Sequence, residues 1–320
     1  MRSSAPRVSV IVLSYNTREL LARCLRSLEG NVADGLAEVI VWDNASSDGS
    51  VELVEREFPW VTLIASDRNL GFSTANNRAA RDASGQFILA LNADAALRPG
   101  ALERSLAVME DGPDIGVVGL RLVDSDGSYQ QSARRFPCPL GLFLEATGLD
   151  ALTRWTRYGS FAGDTTRTVD YVSGAAMLVR RDVWDDLGGF DEGFFFYGED
   201  ADLCARARAL RREALFVHDA EVVHQGGASA AALSYAAALE GYRSAFRFIL
   251  KHQGRWALWV ARAWVVLGAA VRVVVAVLAA LVARGVARST WLQRLRAYCA
   301  VLRQALSGDP LPRGGFADGP

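Results

Sequence analysis

The chain has 320 residues, 51% of them apolar, which is enough to bury a sizeable core and excludes global disorder. Its 35 basic and 36 acidic side chains leave a formal charge of −1, without the basic excess that a dedicated nucleic-acid binder carries. Cys24, Cys138, Cys204 and Cys299 form no C-x-x-C pair, so a zinc knuckle and a thioredoxin-like motif are both excluded, and reduced thiols in a cytosolic protein fit best.

The first apolar run, Val8 to Leu13, is too short for a signal-peptide core and reads as a buried strand. Leu20, Leu21, Cys24, Leu25 and Leu28 follow it at helical spacing. The alternation then repeats: strand Glu38 to Trp42, helix Ser50 to Glu57, strand Val61 to Ala65, helix Ser73 to Ala83, strand Phe87 to Leu91, helix Gly100 to Met109. A βαβ series of this kind predicts an α/β fold with a mostly parallel sheet flanked by helices. Ligands of such sheets bind beyond the carboxyl ends of the strands, where the polar clusters Ser14 to Asn16, Asp43 to Asp48, Asp67 to Asn69 and Asn92 to Asp94 lie.

The pattern weakens after Asp124, and Asp126 to Gly163 reads as a long functional loop region. A strand, Ala175 to Val179, and the helical R-D-V-W-D-D-L come next, stopped by Gly188 and Gly189, with a further helix from about Glu199 to Leu210. The tail from Ser307 to Pro320 has a disordered composition. The expected organisation is a catalytic domain over 1–229, a helical, membrane-associating segment over 230–306 and a disordered tail over 307–320.

Four motifs can carry chemistry. D-N-A-S-S-D-G-S, Asp43 to Ser50, sets a carboxylate and an amide at a strand end, where they can accept from a nucleobase or ribose; it also fits a plain strand-to-helix turn. L-N-A-D-A, Leu91 to Ala95, ends an apolar strand in two oxygen-bearing side chains one residue apart, suited to a divalent cation that neutralises a diphosphate, or again to a turn. F-F-F-Y-G-E-D-A-D-L, Phe194 to Leu203, offers Glu199, Asp200 and Asp202 either as a general base with supporting acids or as first-turn caps. His224, after a short apolar run, is a metal ligand or a structural histidine, and no H-x-x-x-H spacing supports a zinc hydrolase.

Taken in order, V-S-V-I-V-L-S-Y-N, D-N-A-S-S-D-G-S, N-L-G-F-S-T-A-N-N, L-N-A-D-A, G-G-F-D-E-G-F-F-F-Y-G-E-D-A-D-L and H-Q-G-G resemble the family 2 glycosyltransferases of the GT-A fold. The nearest subgroup is the bacterial rhamnosyltransferases that act on polyprenyl-linked cell-wall or O-antigen intermediates. The resemblance implies a nucleotide-sugar donor surrounded by Ser14, Tyr15, Asn16, Asp43, Asn69 and Asn77, with Asn92 at the donor side of the metal motif. It implies a divalent metal, Mg²⁺ or Mn²⁺, on Asp94 with His224 assisting, and Asp200 as the base that deprotonates a glycan or lipid-linked acceptor. Inversion at the anomeric carbon follows, with a UDP-sugar as the alternative to dTDP-rhamnose. A non-catalytic membrane adaptor would not need Asp94, Asp200 and His224 together, and a dinucleotide oxidoreductase would need G-x-G-x-x-G where Ser14-Tyr15-Asn16 stands.

Trp256 to Ala283 is almost wholly apolar, and as a helix of about 42 Å it is long enough for a bilayer core of about 30 Å. Arg262 and Arg272 interrupt it, each at about 2.5 to 3.5 kcal/mol if central in a membrane. On a helical projection Lys251, Arg255, Arg262 and Arg284 fall within about 60° of one another, which predicts a cationic stripe on an interfacial helix. The expected location is therefore peripheral, on the cytoplasmic face of the plasma membrane, with a homo-oligomer or packing on the catalytic domain as the competing use of the helix.

Overall fold

The structure is a computed structural model that describes residues 5–158, 161–225 and 234–307. These fall into two compact units, one of residues 5–134 and 161–225, the other of residues 135–158 and 234–307. The 229/230 boundary, the glycines of H-Q-G-G and the tail over 308–320 lie outside the described residues.

The first unit opens with β1 (Val8–Ser14), α1 (Arg18–Ala33), β2 (Ala37–Asp43), α2 (Ser50–Glu57), β3 (Thr62–Ala65), α3 (Gly71–Ala79) and β4 (Phe87–Asn92). It continues through β5 (Ala95–Leu97), α4 (Ala101–Asp111), β6 (Ile115–Val123) and β7 (Ala133–Arg134). The second unit contributes α5 (Pro139–Thr147), α6 (Asp150–Thr153) and a 3₁₀ turn, Trp155–Arg157. The chain returns to the first unit with β8 (Arg167–Val169), β9 (Tyr171–Val172), β10 (Ala176–Arg180), α7 (Arg181–Leu187), α8 (Glu199–Ala209) and β11 (Glu213–His224). It ends in the second with α9 (Ser234–Val282) and α10 (Gly285–Leu306).

The main sheet has the order β3-β2-β1-β4-β10-β6-β11-β5, with β8 added on β11. Val8, Val10, Ile11 and Val12 are all fully buried, because helices cover both faces and a strand there needs apolar side chains on both sides. The half formed by β3, β2, β1 and β4 is parallel, as the alternation predicts. The other half is mixed: β10 runs antiparallel to both β4 and β6, and β11 is parallel to β6 but antiparallel to β5. The chain reaches β10 through a long excursion instead of a crossover helix, and hydropathy spacing carries no information on strand direction across such a link.

Asp126 to Gly163, read from sequence as loop, contains β7 and the whole α5 to 3₁₀ segment. Leu142 and Ala146 of α5 share a core with Phe246, Ile249, Leu258, Ala261, Val265 and Ala269 of α9 and with Val301 and Ala305 of α10. Gly268 lets the helices meet: a Cβ there would lie 2.7 Å from Ala146 Cβ and 2.8 Å from its carbonyl carbon. α9 is broken at Gly254, whose φ of 87° and ψ of 176° only glycine adopts readily, so the apolar helix starts where the sequence reading places it.

Of the expected cationic stripe, Lys251, Arg255 and Arg284 are exposed and Arg262 is not. Arg262 is buried, with its guanidinium over the Phe246 and Trp259 rings, and Arg272 donates to Glu145 O at 2.6 Å while lying over Tyr298. A helical projection gives the angle of a side chain but not what covers it. The exposed face is apolar, with Trp256, Trp259, Leu267, Val271, Val274, Leu278, Leu281 and Val282 open.

Candidate active site

The polar residues at the carboxyl ends of β1 and β2 are stitched to one another. Asn16, at φ 53°, accepts from Ser47 N with Oδ1 at 2.8 Å, and its own N–H donates to Ser46 Oγ at 2.9 Å. Ser14 is buried and pairs with Thr17, while Tyr15 is half exposed beside it. Asp48 ties two helix starts together, accepting from Arg18 N at 2.8 Å and from Ser50 N at 3.1 Å. Partial burial favours the protonated form of Asp48, but the Ser50 hydroxyl and the backbone N–H groups of Arg18, Ser50 and Asp48 together hold its carboxyl below the usual carboxylate range.

Asp43 is 2% exposed; Oδ1 accepts from Ser46 N at 2.8 Å, and Oδ2 is buried with no hydrogen-bond partner among the described residues. A buried carboxylate oxygen left unpaired is costly, which makes this atom a natural acceptor for a ligand N–H. Its neighbour Asn44 does structural work that the motif alone did not reveal. Its Oδ1 accepts from Trp42 Nε1 and Leu70 N, and its Nδ2 donates to Gly71 O, tying the end of β2 to the N-L-G-F loop.

N-L-G-F is in turn tied to the aromatic motif, since Phe72 N donates to Phe195 O at 2.8 Å. Gly71 has φ 76°, and a Cβ there would lie 2.7 Å from Phe195 O, so the position needs glycine twice over. Asn69 Oδ1 accepts from Gly71 N at 2.9 Å and shapes this turn from an exposed position. Asn77 sits elsewhere: its Oδ1 accepts from Phe190 N, and its Nδ2 donates to Phe190 O and Glu192. Its amide is committed to the G-G-F-D-E loop, so the structure groups Asn77 with the α8 side of the site and not with the nucleoside-side cluster.

Asp200 sits in the first turn of α8, where Oδ1 accepts from Ala201 N at 2.7 Å and Oδ2 from Gly174 N at 3.2 Å. Burial pushes its carboxyl above the ordinary carboxylate range, outweighing the backbone donors and the charge of Arg134, which act the other way. Glu199 is buried beside it. Asp202 is fully buried and bonds Arg206 at 2.7 Å, and Arg206 also donates to Leu187 O and Gly189 O. Asp202 therefore anchors the arginine that closes the end of α7.

Asp200 and the metal motif meet through two adjacent residues, because Gly174 N bonds Asp200 and Ala175 O accepts from Asn92 N at 2.9 Å. The Asn92 side chain is half-buried at the end of β4. Antiparallel pairing of β5 with β11 sets His224 opposite Ala95, and Gln225 N donates to Asp94 O. His224 Nε2 thereby lies 3.2 Å from Asp94 Oδ1. Among the described residues no third His, Cys, Asp or Glu joins them. One imidazole and one carboxylate, converging from two strands, are a donor set that fits a divalent cation with positions left open for phosphate oxygens.

Sequence reasoning missed Gly174 and Gln130, which bonds His224 Nδ1 at 2.7 Å, and read the Asn44 amide as a ligand acceptor where the structure commits it to Trp42, Leu70 and Gly71. It left Arg134 without a role; β7 pairs Arg134 with Tyr171, and its charge acts on Asp200. Asn44 stood in a motif already singled out, whereas no local pattern marks the other two.

A half-parallel sheet with its polar residues at the strand ends, a carboxylate–imidazole pair and a separate, partly buried acid at a helix start define a nucleotide-sugar transferase of the GT-A type. The description "Glycosyl transferase family 2" matches residues 9–216, and the chain belongs to that family. An N-acetylglucosaminyl-diphospho-decaprenol L-rhamnosyltransferase of Mycobacterium tuberculosis is 29% identical over 267 residues, 77% of this chain and 85% of that one. The O-antigen biosynthesis protein RfbC of Myxococcus xanthus is 28% identical over 70% of this chain, which matches 18% of that longer protein. The mannosyltransferase PcManGT of Pyrobaculum calidifontis, solved in complex with GDP-Man and Mn²⁺, shares the fold, with a TM-score of 0.56 and 20% identity over 96% of this chain and 89% of that one.

Proposed function

We propose that this glycosyltransferase moves rhamnose from dTDP-rhamnose to a polyprenyl-diphosphate-linked sugar, with inversion at the anomeric carbon. The observation that carries the reading is the separation of roles between two acids joined through Gly174 and Ala175. Asp200, whose proton affinity is raised by burial, takes the proton of the acceptor hydroxyl as its oxygen attacks C1 and the bond from C1 to the diphosphate oxygen breaks. Asp94 and His224 would hold a divalent cation, Mg²⁺ or Mn²⁺, which supplies charge neutralisation for the departing diphosphate. Asp43 Oδ2 receives the base N–H of the donor, with Ser14, Tyr15, Asn16 and Asn69 around it. The choice of sugar and acceptor follows the M. tuberculosis relative, whose name specifies both and whose length this chain largely covers.

The second unit serves as the membrane-facing part. The segment Leu239–Val282 is long and apolar enough to cross a membrane by length and composition. One side of it nevertheless packs on α5 and α10, with Arg262 and Arg272 partnered there, and only the other side is open. Residues 251–306 contain nine Lys or Arg and no Asp or Glu, a balance suited to anionic headgroups. A one-sided apolar face with basic surroundings supports a helix lying in the interface on the cytoplasmic side.

Calorimetry of the full chain with dTDP-rhamnose, UDP-GlcNAc, UDP-galactose and GDP-mannose, each with and without Mn²⁺, tests the donor. Preferential, Mn²⁺-strengthened binding of dTDP-rhamnose is expected. A preference for a UDP-sugar would overturn the choice of donor, and failure to bind any of the four would overturn the catalytic reading.

A further inference from the structure

The two ring nitrogens of His224 face different neighbours. Nε2 is 3.2 Å from Asp94 Oδ1, and Nδ1 is 2.7 Å from Gln130 Oε1. The Gln130 amide has one possible orientation, because its nitrogen donates to His224 O at 2.7 Å and to Asp124 Oδ1 at 2.6 Å. A carbonyl and a carboxylate only accept, so turning the amide round would set oxygen against oxygen at both contacts. Oε1 is thereby fixed toward Nδ1, and an amide oxygen can only receive a proton there. Asp94 Oδ1 is an acceptor too, so in the metal-free ring either nitrogen can carry the proton; once a cation takes the Nε2 lone pair, the single N–H of the neutral ring must sit on Nδ1, where Oε1 receives it.

We propose that Gln130, anchored by Asp124, is a positioning residue that holds His224 in its Nδ1–H form, so that Nε2 is the ligand a divalent cation meets beside Asp94. The proposal rests on the metal reading above. Two of the three contacts of the Gln130 amide go to His224 itself, one to the ring and one to the backbone carbonyl, so the ring and its support move as one piece. Gln130 is held in place by its own backbone, since its N–H donates to Leu122 O at 2.9 Å. Asp124 sits at the start of the turn before it, where its N–H donates to Ser128 O at 2.8 Å and its Oδ2 accepts from Ser128 Oγ.

The test is two-bond ¹H–¹⁵N correlation of histidine-labelled full-length protein with saturating Mg²⁺ at about pH 9, above the ordinary histidine range. His224 with its proton on Nδ1 is the expected result, and a proton on Nε2 overturns the proposal without any variant being made. Gln130→Leu, with thermal melting as a folding control, is expected to shift His224 toward the Nε2–H form, which Asp94 can accept from. Its Mn²⁺ affinity by calorimetry should fall by about 10- to 100-fold. Gln130→Glu keeps an acceptor for Nδ1 and should retain the Nδ1–H form that Gln130→Leu loses. An unchanged tautomer and unchanged Mn²⁺ affinity in Gln130→Leu would overturn the role of Gln130. If the wild-type chain shows the Nδ1–H form yet binds no Mn²⁺, the metal reading fails and the ligand part of this proposal fails with it.

Discussion

Gly71→Ala tests whether the donor side and the base side of the site are held together by one close contact. At φ 76° an L-residue carries a conformational cost of about 1 to 2 kcal/mol. The added methyl would lie 2.7 Å from both Phe195 O and Phe195 Cδ2, well inside contact distance, and crowding of this kind costs about 1 to 3 kcal/mol. The sum, about 2 to 5 kcal/mol, leaves a domain of ordinary stability folded. Relief requires the N-L-G-F loop to move away from Phe195, stretching the Phe72 to Phe195 bond and pulling on Asn44, which is bonded to Gly71 O. A displacement approaching 1 Å lowers turnover by about 10²-fold. Gly100→Ala is the control, because Gly100 has φ 82° with nothing within 4 Å of a Cβ and should show the conformational cost alone. Urea unfolding and steady-state sugar transfer are measured on both variants. Equal destabilisation of the two, with unchanged kcat/KM in Gly71→Ala, would refute the contact argument.

Asp200→Asn should lower kcat/KM by about 10² to 10⁴-fold while donor binding persists, and full turnover in the variant would remove Asp200 as base. Because burial raises the Asp200 carboxyl above its unfolded value, its contribution to stability is complete below the unfolded pKa and is lost as pH rises through the folded one. At neutral pH the variant should therefore melt no lower than the wild type, and the acid limb of the wild-type kcat/KM profile should lie above the ordinary carboxylate range; a markedly lower melting temperature would contradict this. Asp43→Asn can keep the bond to Ser46 N but turns a donor toward the ligand N–H, so donor affinity should fall by about 1.5 to 3 kcal/mol, and unchanged calorimetric affinity would place the nucleobase elsewhere. Asp202→Ala, which strips the buried partner of Arg206, should cost about 3 to 5 kcal/mol in unfolding experiments. A stable but inactive Asp202→Ala would instead make Asp202 part of the chemistry. Replacing Leu278 and Leu281 by Glu on the open face of α9 should abolish flotation with anionic vesicles and spare transfer to a soluble acceptor, and undiminished flotation would rule out this face as the membrane contact.

The parallel half of the sheet was legible because strands covered on both faces must be apolar throughout, so Val8 to Leu13 and Phe87 to Leu91 stand out without homologues. Helix α2 was legible to the residue because Asp48, Gly49 and Ser50 announce its start. The region after Asp124 was not. Leu142, Leu144 and Ala146 of α5 are buried, but the helix is short and almost without a polar face, so it offers no amphipathic period to detect. Asn77 and Asn44 show the limit for site residues: both are amides beside a predicted ligand site, and only the structure tells which neighbour each one bonds. Gln130 is six residues from Asp124 and 94 from His224, and that relation comes from β6 and β11 lying side by side, which no spacing encodes.

The two acids that the resemblance assigns to a metal and to an acceptor proton sit in different surroundings. Asp94 faces an imidazole whose other side is held by an amide, giving an oxygen and a nitrogen that a cation could share. Burial of the Asp200 carboxyl outweighs the backbone N–H groups of Ala201, Gly174 and Asp200 itself, so protonation is favoured relative to an open carboxylate. Neither role is transferable by moving the residue alone. A carboxylate at Asn92 would add a negative charge beside the cation site without changing the base. Exposing Asp200 would return its proton affinity toward that of an ordinary aspartate and weaken its pull on an acceptor proton. The Ser173 to Ala175 segment keeps the two environments distinct yet adjacent, since Gly174 bonds Asp200 and Ala175 bonds Asn92. The E-D and N-A-D motifs, more than one hundred residues apart in the chain, are linked because β10 enters the sheet antiparallel beside β4, bringing this segment to the carboxyl end of β4, which is what the proposed division of roles on one substrate requires.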